Sequence, residues 1–108
     1  LEELERLMEI THDRLDEAVL HLIRGDLLIG LGDLPAAQTS FQKSIAVARR
    51  QSAKLYELRA ATSLTRLWRD QGKRAEAHDL LAPVYGWFTE GFGTPVLQDA
   101  KALLTELS

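Results

Sequence analysis

The sequence predicts an all-α fold, a helical repeat of five to six antiparallel helices, and three observations point there. Leucine (20) and alanine (13) outnumber valine plus isoleucine (8) about four to one in these 108 residues. Straight-chain and small side chains lose little rotamer freedom in a helix, whereas β-branched ones lose more. Apolar residues recur at helical spacing through nearly the whole chain, with little period-2 alternation. Finally, a shift of 40 residues superposes Leu15 on Leu55, Glu17 on Glu57, Leu27 on Leu67, Gly32 on Gly72 and Ala37 on Ala77. Both glycines fall between two apolar helical stripes, so each unit reads as helix, glycine turn, helix.

The elements follow in order. Leu1, Leu4, Leu7 and Met8 form the first apolar stripe, and a break is expected near Thr11-His12-Asp13, where Thr or Asp can cap a new start. Leu15, Ala18, Val19, Leu22, Ile23, Leu27, Leu28 and Leu31 form the next. Gly32 suits the left-handed position after that helix, and Pro35 suits the first turn of its successor. Ala37, Phe41, Ile45 and Ala48 carry the third stripe, which ends near Arg49-Arg50-Gln51. Leu55, Leu58, Ala61, Leu64, Leu67 and Trp68 carry the fourth, closed by Gly72. A fifth runs through Ala77, Leu81, Val84 and Phe88, kinked at Pro83 because the apolar spacing continues past it. Thr94 as N-cap and Pro95 at the first helical position open a last helix bearing Val96, Ala100, Leu103 and Leu107.

The chain therefore reads as one domain: residues 1–10 a remnant helix of a preceding repeat, 12–51 and 52–91 two repeats, and 94–107 a capping helix. Because it starts at Leu1, it reads as a piece of something longer. The residues Gly25, Leu28, Gly32, Leu34, Ala37 and Phe41 in the first unit, with Leu64, Trp68, Gly72 and Ala77 in the second, resemble the tetratricopeptide (TPR) pattern. The second unit departs from it with Thr65 for the first glycine and Leu81 for the aromatic, and the period of 40 exceeds the usual 34. The run from Glu57 to Leu107 looks like the C-terminal end of longer-period TPR-like arrays in large bacterial signalling proteins. Those proteins are of the ATPase, class III adenylate/guanylate cyclase or winged-helix regulator type. The resemblance implies a right-handed superhelix and a module for protein–protein interaction or signal-transducing scaffolding.

Composition narrows the chemistry. With no cysteine there are no disulfides, thiolate nucleophiles or zinc ribbons. No apolar stretch approaches a membrane span and no secretory signal opens the sequence, so a cytoplasmic location without membrane contact is expected. Gly25, Gly30 and Gly32 lie close together, but no Gly-Lys-Ser/Thr follows to cradle a phosphate. Arg24-Gly25-Asp26 is an adhesion tripeptide by letters only, since it lies inside a helix. His12 and His21 are nine residues apart and point to opposite sides of any shared helix, and His78 beside Asp79 is a sequence neighbour rather than a facing pair. The expectation is therefore no catalytic residues, no cofactor and no metal for these residues themselves, whatever catalytic domain the parent chain carries. Tyr85, Trp87, Phe88 and Phe92 are read as a clamp holding the last helix onto the preceding pair.

Charge distribution is the most informative polar feature. The net charge of −3 argues against a uniformly basic nucleic-acid binder. Residues 43–74 nevertheless carry nine basic and two acidic side chains. Within the helix beginning near Leu55, Arg59, Arg66 and Lys73 repeat every seven residues, with Thr62, Ser63 and Arg69 alongside. At about 100° per residue these share one sector opposite Ala61, Leu64 and Trp68. The TPR resemblance implies that this sector faces a groove, so Arg59, Thr62, Arg66, Arg69 and Lys73 form the candidate partner site. The expected partner is an acidic protein or peptide, or another domain of the parent chain. Nucleic acid on the basic face is the second reading, and neutralisation by acidic neighbours such as Asp26, which aligns with Arg66 under the 40-residue shift, is the bland one. The apolar stripe at Leu1, Leu4, Leu7 and Met8 makes the N-terminal edge the expected surface for a homodimer.

Overall fold

A computed structural model describes residues 14–89, 91 and 93–108. Within them lie five α-helices and no strand: α1 (Arg14–Gly30), α2 (Leu34–Arg50), α3 (Lys54–Asp70), α4 (Arg74–Gly86) and α5 (Pro95–Leu107). The remnant at 1–10, the break at 11–13 and the apolar edge of Leu1 to Met8 fall outside the described residues.

The first four helices begin 20 residues apart, and one turn geometry sets that interval. Gly32, Ser52 and Gly72 each adopt a left-handed φ, of 80°, 55° and 81°. At each turn the amide that follows reaches back to the carbonyl five residues earlier: Asp33 to Leu28 (2.9 Å), Ala53 to Ala48 (2.8 Å) and Lys73 to Trp68 (2.8 Å). These bonds satisfy carbonyls that a helix end otherwise leaves bare. The next helix then starts at once, with the amides of Ala37, Glu57 and Ala77 bonding the carbonyls of Asp33, Ala53 and Lys73 at 3.0 Å. The 40-residue sequence period is thus two copies of a 20-residue structural unit, masked in the letters because serine occupies the middle turn.

Side-chain bonds set the antiparallel pairing. Ser44 Oγ donates to the Ala18 carbonyl at 2.6 Å, tying the end of α2 to the start of α1. Across α2 and α3, Arg49 pairs with Glu57 at 2.9 Å and Trp68 Nε1 donates to Gln38 Oε1 at 3.1 Å, one clasp near each end. Thr65 Oγ1 donates to the Ala77 carbonyl between α3 and α4. In the second layer of contact α1 meets α3 and α3 meets α5, whereas the backbones of α2 and α4 do not approach within 8 Å among the described residues. Odd-numbered helices therefore gather on one side, and α3 packs against all four others.

The core runs through all five helices, with Phe41, Leu58, Leu64 and Leu81 fully buried at its centre. Gly25 is needed there: a Cβ at that position would overlap the Phe41 ring. Three expectations need correction. The α1 stripe is only half buried: Ala18, Leu22 and Leu28 are inside, while Ile23, Leu27 and Leu31 are exposed. The fifth segment runs through Pro83 as expected but stops at Gly86, so Phe88 lies beyond the helix. Thr94 stands at the N-cap position, but its side chain accepts no hydrogen bond from an α5 amide; its hydroxyl donates to the Gly91 carbonyl at 2.8 Å. In the aromatic cluster, Tyr85 and Phe88 pack onto the core, whereas Trp87 stays 57% exposed, edge-on to Phe88 and with Lys54 Nζ 5.5 Å from its ring. Phe92 is outside the described residues.

Two substitutions test this account. Ser52→Gly relieves a left-handed serine and stabilises the fold by about 0.5–1 kcal/mol, net of the extra freedom glycine has when unfolded. Gly25→Ala gains helix propensity yet overpacks the Phe41 ring, for a net loss of about 1–3 kcal/mol. Urea unfolding of both variants beside the wild type reads the two signs; a stabilised Gly25→Ala would refute the packing argument.

Candidate functional site

The gathered odd helices create the surface on which the sequence-predicted residues fall. Arg59, Thr62, Ser63 and Arg66 on α3 meet Leu22 and Asp26 from α1 and Val96 and Asp99 from α5 around a depression of about 220 Å³. A second depression of about 310 Å³ adjoins it, lined by Asp26, Ile29, Leu34, Ser63, Arg66 and Arg69 among others. Arg59, Thr62 and Arg66 are thus brought together and Arg69 borders them. Lys73 is not: it sits at the turn before α4 and lines neither depression.

The cations differ in how far they are committed. Arg69 is fully engaged, with Nε at 3.1 Å from Asp70 Oδ1 and Nη1 at 3.2 Å from Glu106 Oε2. Arg74 reinforces that clasp by donating to the Glu106 backbone carbonyl at 2.6 Å, a favourable place for a cation because the last carbonyls of α5 lack helical partners. Arg66 makes a loose pair with Asp99 at 3.7 Å, both ends largely exposed. Such a pair is worth about 0–1 kcal/mol and yields readily to a competitor. Arg59 has no carboxylate within ion-pair distance among the described residues and lies 6.0 Å from the Tyr56 ring centre. Thr62 is 4% exposed and its hydroxyl donates to the Leu58 carbonyl at 2.7 Å, so it shapes the floor and offers no free donor.

Asp26 is the electrostatic centre of this face. Its carboxyl is raised above the ordinary 3.8: desolvation in the cleft is the larger effect, and the nearby Arg59 and Arg66 guanidinium groups only partly offset it. Sequence spacing singled out the arginines, but Asp99, Val96 and Glu106 could not be found that way, because α5 reaches α3 only through the tertiary fold. The sequence signal for Asp26 was its alignment with Arg66. The repeat-signature residues are structural: Gly25, Ala37, Phe41 and Ala77 are buried, as is Leu28 at 7% exposure. Gly32 and Gly72 make the turns, and Trp68 clasps Gln38.

The arrangement is suited to binding. It presents fixed charges of both signs on rigid helices over a shallow floor. No group of three His, Cys, Asp or Glu that could hold a metal ion occurs among the described residues, and none of their helices is long and apolar enough to cross a membrane. No family model matches the chain, and neither a curated protein nor a solved structure matches it.

The sign of the Asp26 effect is testable. A carboxyl raised on folding favours the protonated form, so its contribution is best below its unfolded value and is lost as pH rises through its folded value. In the wild type this single group makes stability fall with pH from about pH 4 upward. Asp26→Asn removes that component, so the difference in stability between variant and wild type grows in the variant's favour from about pH 4 to pH 6. Urea midpoints across that range measure it; a difference that moves the other way would show that the two arginines outweigh burial.

Proposed function

We propose that this domain is a non-catalytic protein-interaction module, a TPR-like right-handed helical repeat acting as a regulatory scaffold in the cytoplasm. Its place is the C-terminal part of a larger bacterial signalling protein of the ATPase or nucleotide-cyclase type. The observation that supports this best is the convergence of α1, α3 and α5 on one face above two adjoining depressions. There Arg59 lacks an ion-pair partner among the described residues and Arg66 is only loosely held. A face built from helices keeps its side chains in register, so a partner segment meets charges at fixed spacing. The occupant is an acidic segment, from another protein or from the parent chain, that displaces Asp99 from Arg66 and meets Arg59.

An acidic peptide of about a dozen residues, titrated into the ¹⁵N-labelled domain at low salt, tests this. Amide shifts are expected to concentrate at Leu22, Asp26, Ser63, Arg66, Val96 and Asp99. The double substitution Arg59→Ala/Arg66→Ala weakens binding about tenfold, because two exposed charge contacts together are worth about 1–2 kcal/mol. Unchanged affinity in that variant, with its circular dichroism intact, would remove the proposal. Binding of a short DNA duplex with a steep salt dependence would replace it with the nucleic-acid reading.

A further inference from the structure

The opposite side of α1 carries a second set of polar groups that the partner face does not use. His21, Arg24 and Leu28 lie about 80–160° around the helix from Leu22, Asp26 and Ile29. They look across at Ala36, Thr39, Ser40 and Lys43 of α2, and with Asp33 these residues line an open depression of about 400 Å³.

Two polar groups in its wall are unspent. His21 Nδ1 is buried without a hydrogen-bond partner. Ser40 is 5% exposed, and its hydroxyl is in none of the hydrogen bonds between described residues. Buried polar atoms are nearly always bonded, so the His21 nitrogen marks this wall as incomplete, and the Ser40 hydroxyl beside it keeps access to solvent. The charged neighbours indicate which kind. Arg24 and Lys43 are both close enough to act on His21, while Glu17 on α1 opposes them. Asp33, the other acid at the depression, turns its carboxylate to the Ala36 amide as the cap of α2.

We propose that the α1–α2 hairpin holds an oxyanion site that takes a phosphate group, with Arg24 and Lys43 as its cations, Ser40 as a neutral donor and His21 as a proton-coupled one. Burial chiefly, with help from Lys43 and Arg24, holds His21 below its ordinary 6.5. The ring is therefore mostly neutral at pH 7, and Glu17 and Asp33 balance the two fixed cations. An incoming phosphate removes the repulsion from Arg24 and Lys43 and accepts a hydrogen bond from the protonated ring, so binding draws a proton onto His21. The depression is larger than one phosphate needs, which leaves space for the organic part of a phosphomonoester.

The experiment follows the imidazole resonances against pH, without ligand, with inorganic phosphate and with AMP, in the wild type and in Arg24→Gln/Lys43→Gln. Phosphate is expected to raise the His21 midpoint by about half a unit to one unit, leaving His78 in place. The double variant loses tenfold or more in affinity with an unchanged helical spectrum. Tighter binding of AMP than of phosphate identifies a phosphomonoester as the ligand; equal binding identifies the free oxyanion. Equal movement of His21 and His78, or a double variant that titrates like the wild type, overturns the site.

Discussion

Everything in this domain depends on one backbone constraint: a single left-handed residue every 20 positions. It ends a helix, reverses the chain and starts the next helix within three residues, so neighbouring helices are forced into antiparallel contact. With that interval constant, alternate helices share a direction and a side, and the odd-numbered ones come together. Two glycines adopt this conformation at little cost. Ser52 adopts it at a cost of about 1 kcal/mol, which the flanking Schellman bonds and the Arg49–Glu57 and Gln38–Trp68 clasps oppose.

The candidate face is a by-product of that regularity. Because α3 lies between α1 and α5 on one side and α2 and α4 on the other, its apolar residues must cover most of its circumference. Ala60 and Ala61, both fully buried, let neighbours approach closely, and one sector is left over for Arg59, Ser63 and Arg66. Its charges were therefore placed by exclusion from the core. What separates them is the supply of acids on adjoining helices. Glu106 reaches Arg69 and holds it, Asp99 reaches Arg66 only loosely, and Arg59 has no comparable partner among the described residues.

How legible this was depended on the range of the interaction. Helix positions were readable because Gly32, Pro35, Gly72 and Pro95 each act through their own backbone. The common sector of Arg59, Thr62 and Arg66 followed from helical spacing alone. The 20-residue unit was hidden because Ser52 gives no letter-level sign of a left-handed φ. The early end of α4 was hidden too, since the apolar spacing through Phe88 outlasts the helix, which stops at Gly86. Arg69's capture by Glu106 joins residues 37 apart in sequence, and no local pattern encodes that. Likewise His21 looked inert by spacing, because its neighbour Lys43 belongs to the next helix.

The two ends of the bundle are unlike. α5 turns Gln98, Asp99, Lys101, Thr105 and Glu106 outward, whereas α1 and the turn after it leave Ile23, Leu27 and Leu31 in contact with water. A further helix laid against α5 would have to strip hydration from charged groups, whereas one laid along α1 would remove aliphatic surface from solvent. The α1 end thus presents aliphatic surface to solvent, and the α5 end presents charged and polar groups.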